Sequence, residues 1–317
     1  MGILYFHTEM YYAGTDVVPY SLYVDGFLSV FFFISGYLFV KDGFTSFDGV
    51  HKLKSIFRRL IVPYFAFTTI MSIPKAIAHG QDLELLSILR TILTGEASWF
   101  VAALIVAELL LTVLVTFFRS PKPFWAVLPI SILISAIWGN TLSPQYNDLN
   151  FWNINEAVLG CFFLSLGILF RFYEASLSKL LQNVVFLIFV LMGLVITKYI
   201  IFTDSMQMVF GPITIDSWSL FITDNLLFIL LFVALFRKLP YCKWLSITGQ
   251  RSIVFYFFCG GIPLIFSRIV GLLGLPYSLL NMLIIYPMVY AATSFLAFMV
   301  YKYIPWLVGA KVYGNKE

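Results

Sequence analysis

One histidine, three carboxylates and a pair of arginines sit in or beside apolar runs, where a titratable or charged side chain needs a reason. His7 lies in MGILYFHTEMYY, and an imidazole with an ordinary pKa near ~6.5 can take and return a proton near neutrality. Asp25, Glu108 and Asp224 are each flanked by apolar residues on both sides. Such a carboxylate can orient and charge-stabilise a histidine, as the acid of a nucleophile-activating triad does. Arg58 and Arg59 stand in FRRLIVPYF, and guanidinium groups bond phosphate bidentately. An ionised group within a bilayer costs roughly 2.5 to 3.5 kcal/mol or more, so these residues read as functional by default. Each also has a structural reading. His7 with Tyr11 and Tyr12 can be an interfacial anchor, a carboxylate can stay protonated and bond a neighbouring helix, and the arginines can serve topology alone.

The elements that position these groups are membrane spans. The run from Leu22 to Val40 has 19 residues and a single charge, Asp25, close to the ~20 residues that cross a hydrocarbon core. Hydrophobic residues make up 61% of the 317 and charged residues 11%, far from the roughly 25% charged of soluble domains. The chain therefore reads as an all-α, polytopic transmembrane bundle with no sizeable soluble domain, organised as a single domain over residues 1–317. Further spans are expected at about 60–79, 98–118, 124–142, 155–171, 183–202, 218–236, 252–270 and 278–300. With a partial one at the N-terminus they make ten. Gly260, Gly261 and Pro263 mark the ninth as the span to break.

Charge asymmetry gives the orientation. In the ten-span path, 16 of the 20 Lys and Arg fall on one set of loops, and only Lys75, Arg90, Lys198 and Arg268 do not. The basic side is cytoplasmic by the positive-inside rule, which puts both termini inside and Asp82, Asp148, Asp204 and Asp216 in short outer loops. The net charge of +4 follows from this distribution and gives no reason to expect nucleic acid as a partner. Cys161, Cys242 and Cys259 form neither a disulfide framework nor a CxxC site, and no metal is expected.

The order FFFISGYLF, RRLIVPYF and SWFVAALIVAEL, preceded by an apolar stretch ending in His7, resembles the integral-membrane acyltransferase-3 family over roughly the first third of the chain. The rest is similar in hydropathy. The resemblance implies a membrane enzyme in an inner cell membrane, among membrane lipids. It would move an acyl group, most simply acetyl from acetyl coenzyme A, to a hydroxyl of a cell-surface or exported glycan, lipid-linked or not. His7 would be the catalytic base, or itself take the acyl group. Glu108, within the matching SWFVAALIVAEL, or Asp25, nearer in sequence, would assist it. Arg59 matches the family's arginine before proline, and with Arg58, Lys54 and Lys52 it would hold the coenzyme phosphates. The small pair Ser35 and Gly36 divides between helix packing and a donor tunnel. Trp99 and Phe100 could stack on a sugar ring, although an interfacial aromatic belt is the default explanation for them.

Two departures from the family pattern temper this. The usual basic residue about ten positions before the histidine has no counterpart, as if Met1 lay inside the first span and the chain began late. GQRSIVFYF resembles a segment that commonly ends in a second histidine, where this chain has Cys259 and Gly260, so no catalytic role is carried there. Two other functions are therefore kept: a transporter of a small anion or lipid-linked glycan, and a catalytically silent partner of polysaccharide-assembly proteins.

Overall fold

The computed structural model describes residues 1–310 apart from 16, 42, 80–83 and 142–149, with the side chains of 73–79, 140 and 141 left aside. Asp82, Asp148, Lys311 and Lys316 thus lie outside the described residues. The described chain is almost wholly helical, as its apolar runs require: a backbone in hydrocarbon must satisfy its own hydrogen bonds.

The helices are α1 (Gly2–Ala13), α2 (Tyr20–Phe39), α3 (Gly49–Ile56), α4 (Val62–His79), α5 (Leu85–Leu93), α6 (Trp99–Phe118), α7 (Lys122–Thr141), α8 (Ile154–Phe172), α9 (Glu174–Gln182) and α10 (Val184–Thr203). A short antiparallel hairpin, β1 (Met208–Val209) and β2 (Thr214–Ile215), pairs Met208 with Ile215. Then come α11 (Trp218–Lys238), α12 (Lys243–Gln250), α13 (Ser252–Phe258), α14 (Gly261–Leu272) and α15 (Leu279–Tyr303). Helix starts follow local chemistry where the cap is a short polar side chain. Asn183 accepts from the Val185 and Phe186 amides to begin α10, and Ser278 accepts from the Asn281 amide to begin α15.

Seven described helices are long and apolar enough to cross a membrane, and α13 with α14, bent by 47° at the break, makes an eighth. The break falls at Cys259–Gly260, where the glycine and proline pattern places it. The remaining two of the ten expected segments are helical but fall short as spans. α1 has 12 residues, and α4 dilutes its 18 with Thr68, Thr69, Ser72, Pro74 and Lys75.

The chain forms two compact units. The first comprises Met1–Tyr20, Ser55–Leu93 and Tyr241–Glu317. Its core gathers Leu4 of α1, Phe67 of α4, Val254 and Phe255 of α13, Val270 of α14 and Val289 of α15. The second comprises Ser21–Lys54 and Thr94–Pro240. Its centre is α8, largely buried, while α7 and α10 are mostly exposed along their lengths. Between α2 and α8 the backbones meet at Gly36 and Gly167. A Cβ on Gly36 would collide with the Leu164 carbonyl, and one on Gly167 with that of Phe33. Apolar area drives no helix association in lipid, so such small-residue contacts set the packing.

Candidate active site

In the first unit, α1 presents His7 half-buried, edge-on to Phe6 at 5.4 Å and stacked on Tyr11 at 6.3 Å. His7 and Tyr11 share a helix face, being four residues apart. The Tyr11 hydroxyl reaches the α13–α14 break, where a Cβ on Gly260 would lie 3.7 Å from it. Among the described residues of its unit, no carboxylate hydrogen-bonds His7. Glu9, two positions on, points away from it. That carboxylate is fully buried and accepts from the Tyr5 hydroxyl at 3.1 Å, the Val18 amide at 3.0 Å and the Tyr277 hydroxyl at 3.4 Å. Glu9 fastens α1 to the loop that follows it and to the segment before α15. Nothing local marks it as buried: polar Thr8 stands beside it, and the Tyr277 donor comes from the far end of the chain.

Arg58 and Arg59 lie on a π-helical turn, Phe57–Ile61, closed by the Val62 amide bonding the Phe57 carbonyl. Pro63 has no N–H to give the Arg59 carbonyl, so the α-helical ladder is interrupted at this point. Both arginines are exposed, and neither makes an ion pair among the described residues. The turn is backed by Gly309 at φ 64°, where a Cβ would stand 2.6 Å from the Arg58 carbonyl oxygen and 2.9 Å from Arg59 Cγ.

The second unit holds the other candidates. Glu108 of α6, 6% exposed, accepts from the Ser35 hydroxyl at 2.5 Å on one oxygen and pairs with Lys52 Nζ at 2.9 Å on the other. Lys52 also sits 4.0 Å over the Phe39 ring. Lys54, two residues on along α3, is exposed. Gly36 is spent on the α8 contact, with no room beside it for a ligand. Asp25 is 1% exposed, accepts from the Phe210 amide at 3.0 Å, and has no partner for its second oxygen among the described residues. Asp224 is held by Lys198 Nζ at 2.5 Å and Thr197 Oγ1 at 2.8 Å.

The aromatic pair is enclosed by the protein itself. Phe100 is buried against Phe31 and Phe32. Trp99 faces Phe210 at 6.1 Å, and a Cβ on Gly211 would run into its ring. Phe210, at the tip of the hairpin, is itself fully buried and lies flat on Phe32 at 5.3 Å. Sequence alone does not show this burial, because a phenylalanine in a short loop before Gly211 and Pro212 carries no periodicity that assigns it to a face.

A family model described as an acyltransferase domain, Acyl_transf_3, matches residues 1–302. The chain belongs to this family. No curated protein matches it, and no solved structure does.

For a member of a membrane acyltransferase family, the geometry sorts the candidates by what their charges already touch. The first unit has an imidazole and two arginines left free of carboxylates. In the second, Glu108 and Asp224 are engaged by lysines and hydroxyls, while Asp25 is held on one oxygen by an amide. Glu108, with Ser35 and Lys52, has the bonds of an internal fastener.

Proposed function

We propose that this membrane acyltransferase moves an acyl group, most simply acetyl, from acyl coenzyme A to a hydroxyl of a cell-surface or exported glycan. The reading is carried by His7, a half-buried imidazole within the family match to which no carboxylate among the described residues of its unit bonds. His7 takes the proton of the acceptor hydroxyl as its oxygen attacks the thioester carbonyl. The carbon–sulfur bond breaks, and the leaving sulfur takes up a proton to give free coenzyme A. General-base assistance of this kind contributes typically 10²- to 10⁴-fold. Arg59, with Arg58, holds the coenzyme phosphates through charge-assisted bonds. The exposed π-turn supports that role, since such turns recur at functional sites.

The test is transfer of radiolabel from acetyl coenzyme A to an exported glycan by purified protein in nanodiscs. Label recovered as a hydroxylamine-sensitive ester supports the reading. Coenzyme A binding without ester formation, across glycan and lipid-linked acceptors, would favour a silent partner.

A further inference from the structure

The α13–α14 break contains Gly260 and Gly261, which the break itself does not require. Pro263, in the first turn of α14, has no N–H to give the Cys259 carbonyl, and that loss alone interrupts a helix. Gly260 has φ −90° and ψ −46°, right-handed helical values open to any residue. Nor does a neighbour press on it. A Cβ on Gly260 would meet only the Tyr11 hydroxyl, at 3.7 Å, and one on Gly261 only the Met71 sulfur, at 3.9 Å, both ordinary contacts. Gly36 and Gly167, by contrast, are each closed off by a carbonyl oxygen of another helix. Gly260 thus answers neither to a left-handed backbone nor to a close approach, the usual reasons for a glycine. What it leaves is open space beside a broken span, and irregular backbone at that depth belongs where it lines a cavity or is buried in protein. Tyr11 reaches this space from the face of α1 that carries His7, one turn away, with the two rings stacked at 6.3 Å. Its hydroxyl makes no hydrogen bond among the described residues.

We propose that the space at Gly260 seats the acyl group of the donor and that the Tyr11 hydroxyl donates to the thioester carbonyl oxygen. The proposal rests on the acyl-transfer reading above, with His7 as the base. As the acceptor oxygen attacks, the carbonyl electron pair moves onto oxygen, and the Tyr11 O–H stabilises the charge that forms there. The pair returns when the carbon–sulfur bond breaks. Sulfur takes the proton held by His7, and Tyr11 keeps its own. Gly260 sets the room for the acyl chain, because any side chain there stands against the Tyr11 hydroxyl, where the carbonyl has to lie.

The experiment measures affinity for free, acetyl and butyryl coenzyme A, and single-turnover ester formation on the glycan, in wild type, Tyr11→Phe, Gly260→Ala and Gly260→Val in nanodiscs. Thermal unfolding is the control for folding. Tyr11→Phe keeps the ring beside His7 and removes only the donor. Its turnover is expected to fall about 10²- to 10³-fold, with affinity for free coenzyme A unchanged. Gly260→Ala is expected to weaken the acyl donors about 10-fold or more relative to free coenzyme A, butyryl more than acetyl, and Gly260→Val further. Alanine is the readable variant if valine does not fold, since its Cβ meets only an ordinary contact. A Tyr11→Phe protein that unfolds earlier yet turns over at the wild-type rate makes the hydroxyl a tie between helices and overturns its part in the transfer. Equal loss for free and acylated coenzyme A in Gly260→Ala, or no loss, overturns the acyl seat. In both cases acylation by wild type leaves the function proposed above standing. A folded wild type that binds no coenzyme A overturns that function and the acyl seat with it.

Discussion

The two units treat charge in opposite ways. In the second, Lys52 meets Glu108, Lys198 meets Asp224, and Arg171 and Arg237 share Glu174. In the first, among the described residues, Arg58, Arg59, Arg251 and Lys302 make no ion pair, and the buried acid Glu9 is taken by tyrosines and an amide. An ion pair consumes a charge for the fold. An unpaired charge stays available for a ligand. On the function proposed above, the paired residues would serve stability and the unpaired ones chemistry.

The largest effect that can break this division is at His7. In His7→Ala, ester formation should fall by roughly 10² to 10⁴ while coenzyme A affinity stays within about twofold. Single-turnover acylation paired with a coenzyme A titration measures both. A His7 variant that loses coenzyme A binding, or keeps full turnover, would take the imidazole out of the proton transfer.

Next in size is the buried pair of the second unit. Lys52→Met strands the Glu108 carboxylate, and removal of one partner from a buried pair typically costs about 3 to 5 kcal/mol. Lys52→Met with Glu108→Gln removes both charges and should recover most of that loss. Chemical denaturation in mixed micelles gives the two stabilities. Equal instability of the single and double variants would mean that the pair is not what holds these elements.

How much of this was legible depends on the range of the interaction. Span positions follow from runs of apolar residues, and the α13–α14 break follows from Gly260, Gly261 and Pro263, all local properties. The shortfall of α1 and α4 as spans is also local, in length and in polar content. The partners of Glu108 come from Ser35 and Lys52, dozens of residues away. No periodicity encodes such pairings, which arise only when helices pack. Gly36 shows the same limit, since the sequence leaves packing and ligand approach equally open until the Leu164 carbonyl is seen against it. For Phe210, the aromatic character was visible but the burial was not, because that burial is set by the hairpin and by Asp25 bonding its amide.

The third prediction sharpens the first unit's side of the comparison. Arg59→Ala should weaken coenzyme A about 10- to 100-fold, the loss of a charge-assisted phosphate contact worth roughly 1.5 to 3 kcal/mol, with the folded protein no less stable. Arg59→Lys should rescue part of it. Calorimetric titration beside a thermal scan separates affinity from folding. A destabilised Arg59→Ala with unchanged affinity would move this arginine into the structural set.

The smallest expected effect tests the second unit's rule where it is weakest. Glu174 keeps about 30% of its side chain exposed, and it serves Arg237 at 3.0 Å, Arg171 at 3.7 Å and the Tyr37 hydroxyl at 2.9 Å. Exposed pairs are worth about 0.2 to 1 kcal/mol because water and salt screen them and two long side chains must be ordered. Glu174→Gln keeps a hydrogen-bond acceptor for Tyr37 and removes only the charge. It should therefore lower stability by less than about 1 kcal/mol, and the loss should shrink further in high salt. Arg171 and Arg237 are then left as unpaired as Arg59, yet coenzyme A affinity should not rise. An anion site needs groups placed for the anion, and these two arginines have been arranged around a carboxylate. A gain in coenzyme A binding by Glu174→Gln would show that free positive charge alone suffices, and would remove the distinction between the two units.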